Sequence, residues 1–184
     1  MISYLQSKVS RTASLLGGLN SLLYAAVYAY YHLYASMAYA ILISCPIQLL
    51  TFIRWKKNAY KGTTLFKEMN WKTRGFVAGG FIAAWGILYA VLAAIGSSFA
   101  IWDNTLTLLG ILISFLTMFA YIEYTTLMIP SALINIILYA LMIRENPEQT
   151  TYLFYSLYCF ICQCIAYKNI RKVYKEQKAI GKAV

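Results

Sequence analysis

Carboxylates and histidine are scarce in this sequence. Six Asp and Glu stand against sixteen Lys and Arg, and His32, in the loop segment YYHLYAS, is the one histidine. A Ser-His-Asp set, a zinc site built on imidazoles and a proton relay through a membrane all need groups that the chain does not supply. No phosphate-loop motif takes their place, so no enzyme, no cofactor and no metal site are expected. Charge of either sign is also scarce, at 12% of residues against roughly 25% in soluble domains. Water is therefore not the main solvent of this chain.

What the chain has instead is apolar length. Hydrophobic residues make up 61% of it, and its mean hydropathy is +0.60. A bilayer core about 30 Å thick takes a helix of roughly 17 to 25 apolar residues. Six segments qualify, near 13–30, 35–53, 75–98, 105–122, 125–143 and 150–167. The expected fold class is an all-α polytopic membrane protein with six transmembrane helices. With both termini on one side, every Lys and Arg except Arg144 falls on that side, which marks it as the cytoplasm. This predicts a multi-pass protein of the cell inner membrane with cytoplasmic N- and C-termini. The net charge of +10 then serves topology, and no nucleic-acid partner is expected. A basic start before the first segment also fits a cleaved signal peptide with a cut near Ala35 or Ala38, but the repeat described next requires that segment to be retained. Cys159, Cys162 and Cys164 lie along an apolar helix and read as small buried hydrophobes.

The first segment contains Asn20-Ser-Leu-Leu-Tyr24-Ala25, and the fifth contains Asn135-Ile-Ile-Leu-Tyr139-Ala140, 115 residues on. The segment after each runs back and ends in an aromatic residue and bases, Trp55-Lys56-Lys57-Asn58 and Tyr167-Lys168-Asn169. From Asn to that aromatic is 35 residues in one half and 32 in the other. Agreement in order, spacing and side implies two parallel repeats, an arrangement that puts a transporter's substrate site near the midplane between them. The expected organisation is an incomplete first bundle at 13–61, a linker helix at 75–98, a second triple-helix bundle at 103–168 and a basic cytoplasmic tail at 169–184, or 2+1+3. The helix that would precede the first segment is missing. A truncated gene model, a natural reduction and a homo-oligomer that supplies the missing contacts each account for this.

GGLNSLLYAAVYAY at 17–30, followed by CPIQLLTFIRWKKN at 45–58, resembles the Pnu-type nicotinamide riboside and vitamin transporters. The Pro-x-Gln and Trp-Lys-Lys-Asn of the second stretch carry most of the likeness, which continues more weakly through WDNTLTLLG at 102–110 and through Asn135. The resemblance implies a SWEET-like fold of two triple-helix bundles around a linker. It also implies facilitated diffusion of a nucleoside-like vitamin, with a cytoplasmic kinase trapping the product. Where the family's nicotinamide riboside transporters usually carry Trp-x-x-Trp, this chain has TTLMIPSALIN at 125–135. Met128 stands near one of those places.

Polar side chains within apolar helices point into a bundle, either to join helices or to line a pathway. An amide offers two donors and two acceptor lone pairs, which suits ribose hydroxyls and carboxamides. The expected substrate-binding residues are Gln48, Asn135, Asn20 and Gln163, with Tyr24 and Tyr139 each four residues after its repeat's Asn and on the same helical face. Pro46 is expected to bend its helix. Tyr121 and Tyr124 read as interfacial tyrosines, Tyr152, Tyr155 and Tyr158 as a core stripe, and Asp103 as an N-cap. The partners expected are a small-molecule substrate and the lipid bilayer. Nicotinamide riboside is the first candidate substrate, ahead of deoxynucleosides or thiamine. The rival reading from another class is a substrate-binding subunit of an energy-coupling-factor vitamin transporter, which would bind without transporting alone.

Overall fold

The computed structural model describes residues 4–5, 8, 10, 12–30, 40–61, 63–94, 100–143, 147 and 150–181. Its helices are α1 (Thr12–Tyr30), α2 (Cys45–Lys57), α3 (Trp71–Ala94), α4 (Ala100–Met118), α5 (Tyr124–Met142) and α6 (Thr150–Ala179). A two-stranded hairpin, β1 (Ala59–Tyr60) with β2 (Thr63–Thr64), sits between α2 and α3. His32 and Arg144 lie outside the described residues.

Packing starts from small side chains. Ala13, Gly17, Ser21 and Ala25, spaced four apart, are the buried line of α1, and this face packs on α2. A Cβ on Gly17 would stand 1.6 Å from Gln48 Oε1, and one on Gly18 3.2 Å from Leu49 Cδ2. Gly17 therefore leaves room for the Gln48 carboxamide, and Gly18 for the Leu49 side chain. Before α2 the chain makes a π-helical turn at Ala40–Ser44, and Pro46 falls in the first turn of the α-helix. Ser44 keeps helical φ and ψ, so the π turn runs directly into α2 and the proline stands where the winding changes from π to α.

Beyond this pair, α4 packs on α2, α3 and α5, and α5 packs on α6. Helix α6 turns Ser156, Cys162, Ala166 and Ile170 inward. The tyrosine stripe expected in the core consequently faces outward, with Tyr152, Tyr155 and Tyr158 all exposed. Tyr152 stacks on Tyr139 of α5, ring centroids 5.7 Å apart.

Among the described residues, helix α3 packs chiefly on α4 and is apolar and exposed along most of its length. Two polar ties hold its middle to α4: Asn104 Nδ2 donates to the Trp85 carbonyl at 2.9 Å, and Trp85 Nε1 donates to Thr105 Oγ1 at 2.9 Å. Asp103, expected as an N-cap, lies inside α4, which starts at Ala100. Among the described residues, Trp71–Val91 and Tyr124–Leu141 are long and apolar enough to cross a membrane, and Asn104–Met118 is a shorter apolar helix. Asn20, Ser14, Ser21 and the glycines lower the hydropathy of α1, as the bases do at the ends of α2 and α6.

The stretch 58–70 is more ordered than a basic connection would be. Phe66 is fully buried, edge-on to Trp55 with ring centroids 5.8 Å apart. Gln177, also 0% exposed, accepts the Phe66 N–H at 2.9 Å and donates to the Thr64 carbonyl at 2.8 Å. Residues 169–179, expected as tail, therefore continue α6 and pin the hairpin. Lys67 joins the α4–α5 corner by backbone bonds with Ala120 and Ile122, and Ala120 holds a left-handed φ of 58° there. Arg74 donates to Glu123 Oε1 at 2.6 Å, and Met69 N–H donates to the same oxygen at 3.0 Å. Glu68 bonds the Tyr174 hydroxyl, which holds its carboxyl below the ordinary carboxylate value. Burial, helped by that bond, pushes Tyr174 up to about 12. Strand pairing, a buried amide and two carboxylates thus consolidate the basic end of the bundle.

Candidate functional site

A cavity of about 270 Å³ opens among α1, α2, α4, α5 and α6, toward the basic end. Residues Ala13 and Ser14 contribute from α1, Gln48, Thr51 and Trp55 from α2, Ser114 and Thr117 from α4, Tyr124, Met128 and Ser131 from α5, and Gln163 from α6. With Ser10, its lining mixes two amides, six hydroxyl side chains from Ser and Thr, and two aromatic rings. Among the described residues, none that lines it is Asp, Glu, His, Lys or Arg.

The two amides are held differently. Gln48 Nε2 donates to Ser21 Oγ at 3.1 Å and to Ser44 Oγ at 3.2 Å, and the two hydroxyls meet each other at 2.8 Å. Ser21 also donates to the Gly17 carbonyl at 3.0 Å. Gln48 is thus fixed in direction by a four-membered network across α1 and α2. Gln163 Oε1 is buried and has no hydrogen-bond partner among the described residues. A buried acceptor without a donor costs about 1–3 kcal/mol, and a ligand donor would recover that.

Gln48 and Gln163 are themselves 115 residues apart, the separation that relates Asn20 to Asn135. The same offset pairs Ile47 with Cys162, Thr51 with Ala166 and Trp55 with Ile170, and all six are buried. Counting to the closing aromatic, Trp55 against Tyr167, placed this pair of helices three residues out of register. Burial gives the better alignment.

The other candidates fall elsewhere. Asn135 Nδ2 donates to Ser156 Oγ at 3.3 Å and ties α5 to α6, while Tyr139 stacks on Tyr152 in the same contact. Asn20 is half-buried on α1 and does not line the cavity. Tyr24 lies in α1, with its side chain outside the described residues.

Two rings at the cavity were missed by sequence. Tyr124 is buried at the start of α5, not in an interfacial belt, and Trp55 Nε1 donates to the Thr117 carbonyl at 2.9 Å. They supply aromatic surface from positions other than the family's Trp-x-x-Trp. Met128, near one of those positions, lines the same cavity with a polarizable thioether.

Helices this apolar outside, arranged about a neutral polar cavity, define an α-helical membrane transporter. The fold agrees with that of a solved structure, "Crystal structure of the Vitamin B3 transporter PnuC", at a TM-score of 0.73 and 20% identity, over 95% of this chain and 78% of that one. The family model for the nicotinamide mononucleotide transporter matches residues 1–171, and the chain belongs to that family. No individual curated protein matches it. Membership makes the chain a transporter and not an enzyme, and it displaces the energy-coupling-factor subunit as a reading.

Proposed function

We propose that this protein carries a nucleoside-like vitamin, nicotinamide riboside first among candidates, across the cell inner membrane by facilitated diffusion. One observation carries the reading: Gln48 and Gln163, equivalent by the 115-residue offset, line one cavity between two helix pairs. Amides from two helices, α2 and α6, suit the hydroxyls of a ribose and the carboxamide of a pyridine ring, and Trp55 and Tyr124 add aromatic surface to the same lining. The solved neighbour is a vitamin B3 transporter, which supports the same substrate class. A lining without carboxylates offers no charged ligand for a coupling proton or sodium ion, so a uniporter is the simplest mechanism.

In this reading all six helices span the bilayer as a SWEET-like 2+1+3 arrangement. Helices α1 and α2 form the short first bundle, α3 is the linker on its lipid-exposed flank, and α4 to α6 form the second bundle. The basic end, where the lysines and arginines collect, is cytoplasmic, and both termini lie there. A kinase on that side would turn passive equilibration into net uptake.

The test is uptake by purified protein in liposomes with no ATP and no partner protein. Labelled nicotinamide riboside is expected to enter down its gradient and to be competed by unlabelled substrate. Labelled deoxynucleosides and thiamine test the alternative cargoes. Binding without entry would overturn the facilitator reading.

A further inference from the structure

A second cavity, of about 300 Å³, lies at the basic end between the close of α2, residues 64–67 and the α4–α5 corner. Arg54, Asn58, Lys67 and Phe119 line it, over a floor of Trp55 and Phe66. The Arg54 guanidinium carbon stands 4.4 Å from the centroid of the Phe119 ring, and Lys67 Nζ stands 4.4 Å from that of Tyr121. An aromatic face orients a cation without cancelling its charge. The ion pairs among the described residues, Lys61 with Glu176 and Arg74 with Glu123, use neither cation. Lys56 and Lys57 add positive potential nearby. Two oriented and uncompensated cations at one cavity, one a guanidinium fork suited to paired oxygens, are matched by a phosphate.

We propose that this second cavity is a phosphate-binding site for a small phosphorylated ligand, distinct from the amide-lined cavity and separated from it by the Trp55 indole, which lines both. The site stands on its own geometry and not on the identity of the transported substrate. Its phosphate has two chemical sources, a soluble phosphate monoester or the headgroup of an anionic lipid in the adjacent leaflet.

Isothermal titration of the full chain in nanodiscs tests this, with adenosine 5′-monophosphate as the soluble probe and adenosine as its uncharged control. In phosphatidylcholine discs the monophosphate is expected to bind saturably and adenosine not at this site. Arg54→Gln and Lys67→Gln should each weaken that binding by at least about tenfold, the loss expected for a charge-assisted hydrogen bond. Lys67→Arg keeps the charge and should retain most of it, whereas Arg54→Lys keeps the charge without the fork and should bind more tightly than Arg54→Gln and more weakly than the wild type. If the headgroup is the native source, phosphatidylglycerol discs will raise the melting temperature of the wild type, compete with the monophosphate, and lose both effects in the Gln variants. Absence of monophosphate binding together with absence of an Arg54- or Lys67-dependent lipid effect overturns the proposal. So does binding that both Gln variants leave unchanged.

Discussion

Replacing Gly17 by alanine puts one methyl group where the Gln48 carboxamide now lies. The added Cβ would stand 1.6 Å from Oε1, so the amide must move, and the end of a flexible side chain can. Moving costs the bonds from Nε2 to Ser21 and Ser44, at 3.1 and 3.2 Å. Hydrogen bonds between membrane helices average about 0.6 kcal/mol, so two of them are worth roughly 1.2 kcal/mol. Gly17→Ala is therefore expected to destabilise by about 1–1.5 kcal/mol, while removing Gln48 from its place at the cavity. The assay is thermal unfolding in detergent or nanodiscs for Gly17→Ala, Gln48→Ala and the double variant. In the Gln48→Ala background the methyl meets no amide, so Gly17→Ala should cost less than about 0.5 kcal/mol there. An equal cost in both backgrounds would refute the claim that this glycine exists to seat Gln48.

Gln177→Ala strips both partners from the buried Phe66 N–H and Thr64 carbonyl, at about 1–3 kcal/mol for each group left unpaired. Limited trypsin digestion is expected to cut at Lys61 or Lys67 faster than in the wild type; an unchanged rate would contradict this. Asn104→Ala removes the tie from α4 to the Trp85 carbonyl, and hydrogen exchange in α3 near Trp85 should rise while α5 and α6 stay protected. The Glu68–Tyr174 bond gives a pH dependence of definite sign. Glu68 is lowered on folding, so its contribution is present above its unfolded value of 4.5 and is lost as pH falls through the folded value. Tyr174 is raised, so its contribution holds below its unfolded value of 10.0 and is lost as pH climbs toward about 12. Melting curves of wild type and Glu68→Gln should differ at pH 7 and draw together as the pH falls through and below the lowered Glu68 value; a gap that persists in strong acid would contradict the assignment.

The helices were legible in sequence because apolar runs of this length have few other uses. The side of each helix was less so. A lipid-exposed face is as apolar as a buried one, so Tyr152, Tyr155 and Tyr158 gave no sign that they would face outward while Ser156 and Ala166 faced in. Gln48 and Gln163 were legible as costly amides in apolar helices. Asn135 carried the same signal but ties α5 to α6, and a pattern of single residues cannot separate the two uses. The ordered basic end was missed because its parts are far apart in the chain: Phe66 is one apolar residue in a polar stretch, and its partner Gln177 lies 111 residues on. Trp55 was visible as a helix end, and its place in the cavity wall depends on Thr117, 62 residues away.

Two amides of equivalent position serving one ligand is the idea on which the functional reading turns. Equilibrium binding of nicotinamide riboside to wild type, Gln48→Ala and Gln163→Ala in nanodiscs measures it directly. Each substitution should weaken binding by at least about tenfold, the size of one or two lost hydrogen bonds to buried groups. Affinity unchanged in both variants, with their folds intact, would contradict it.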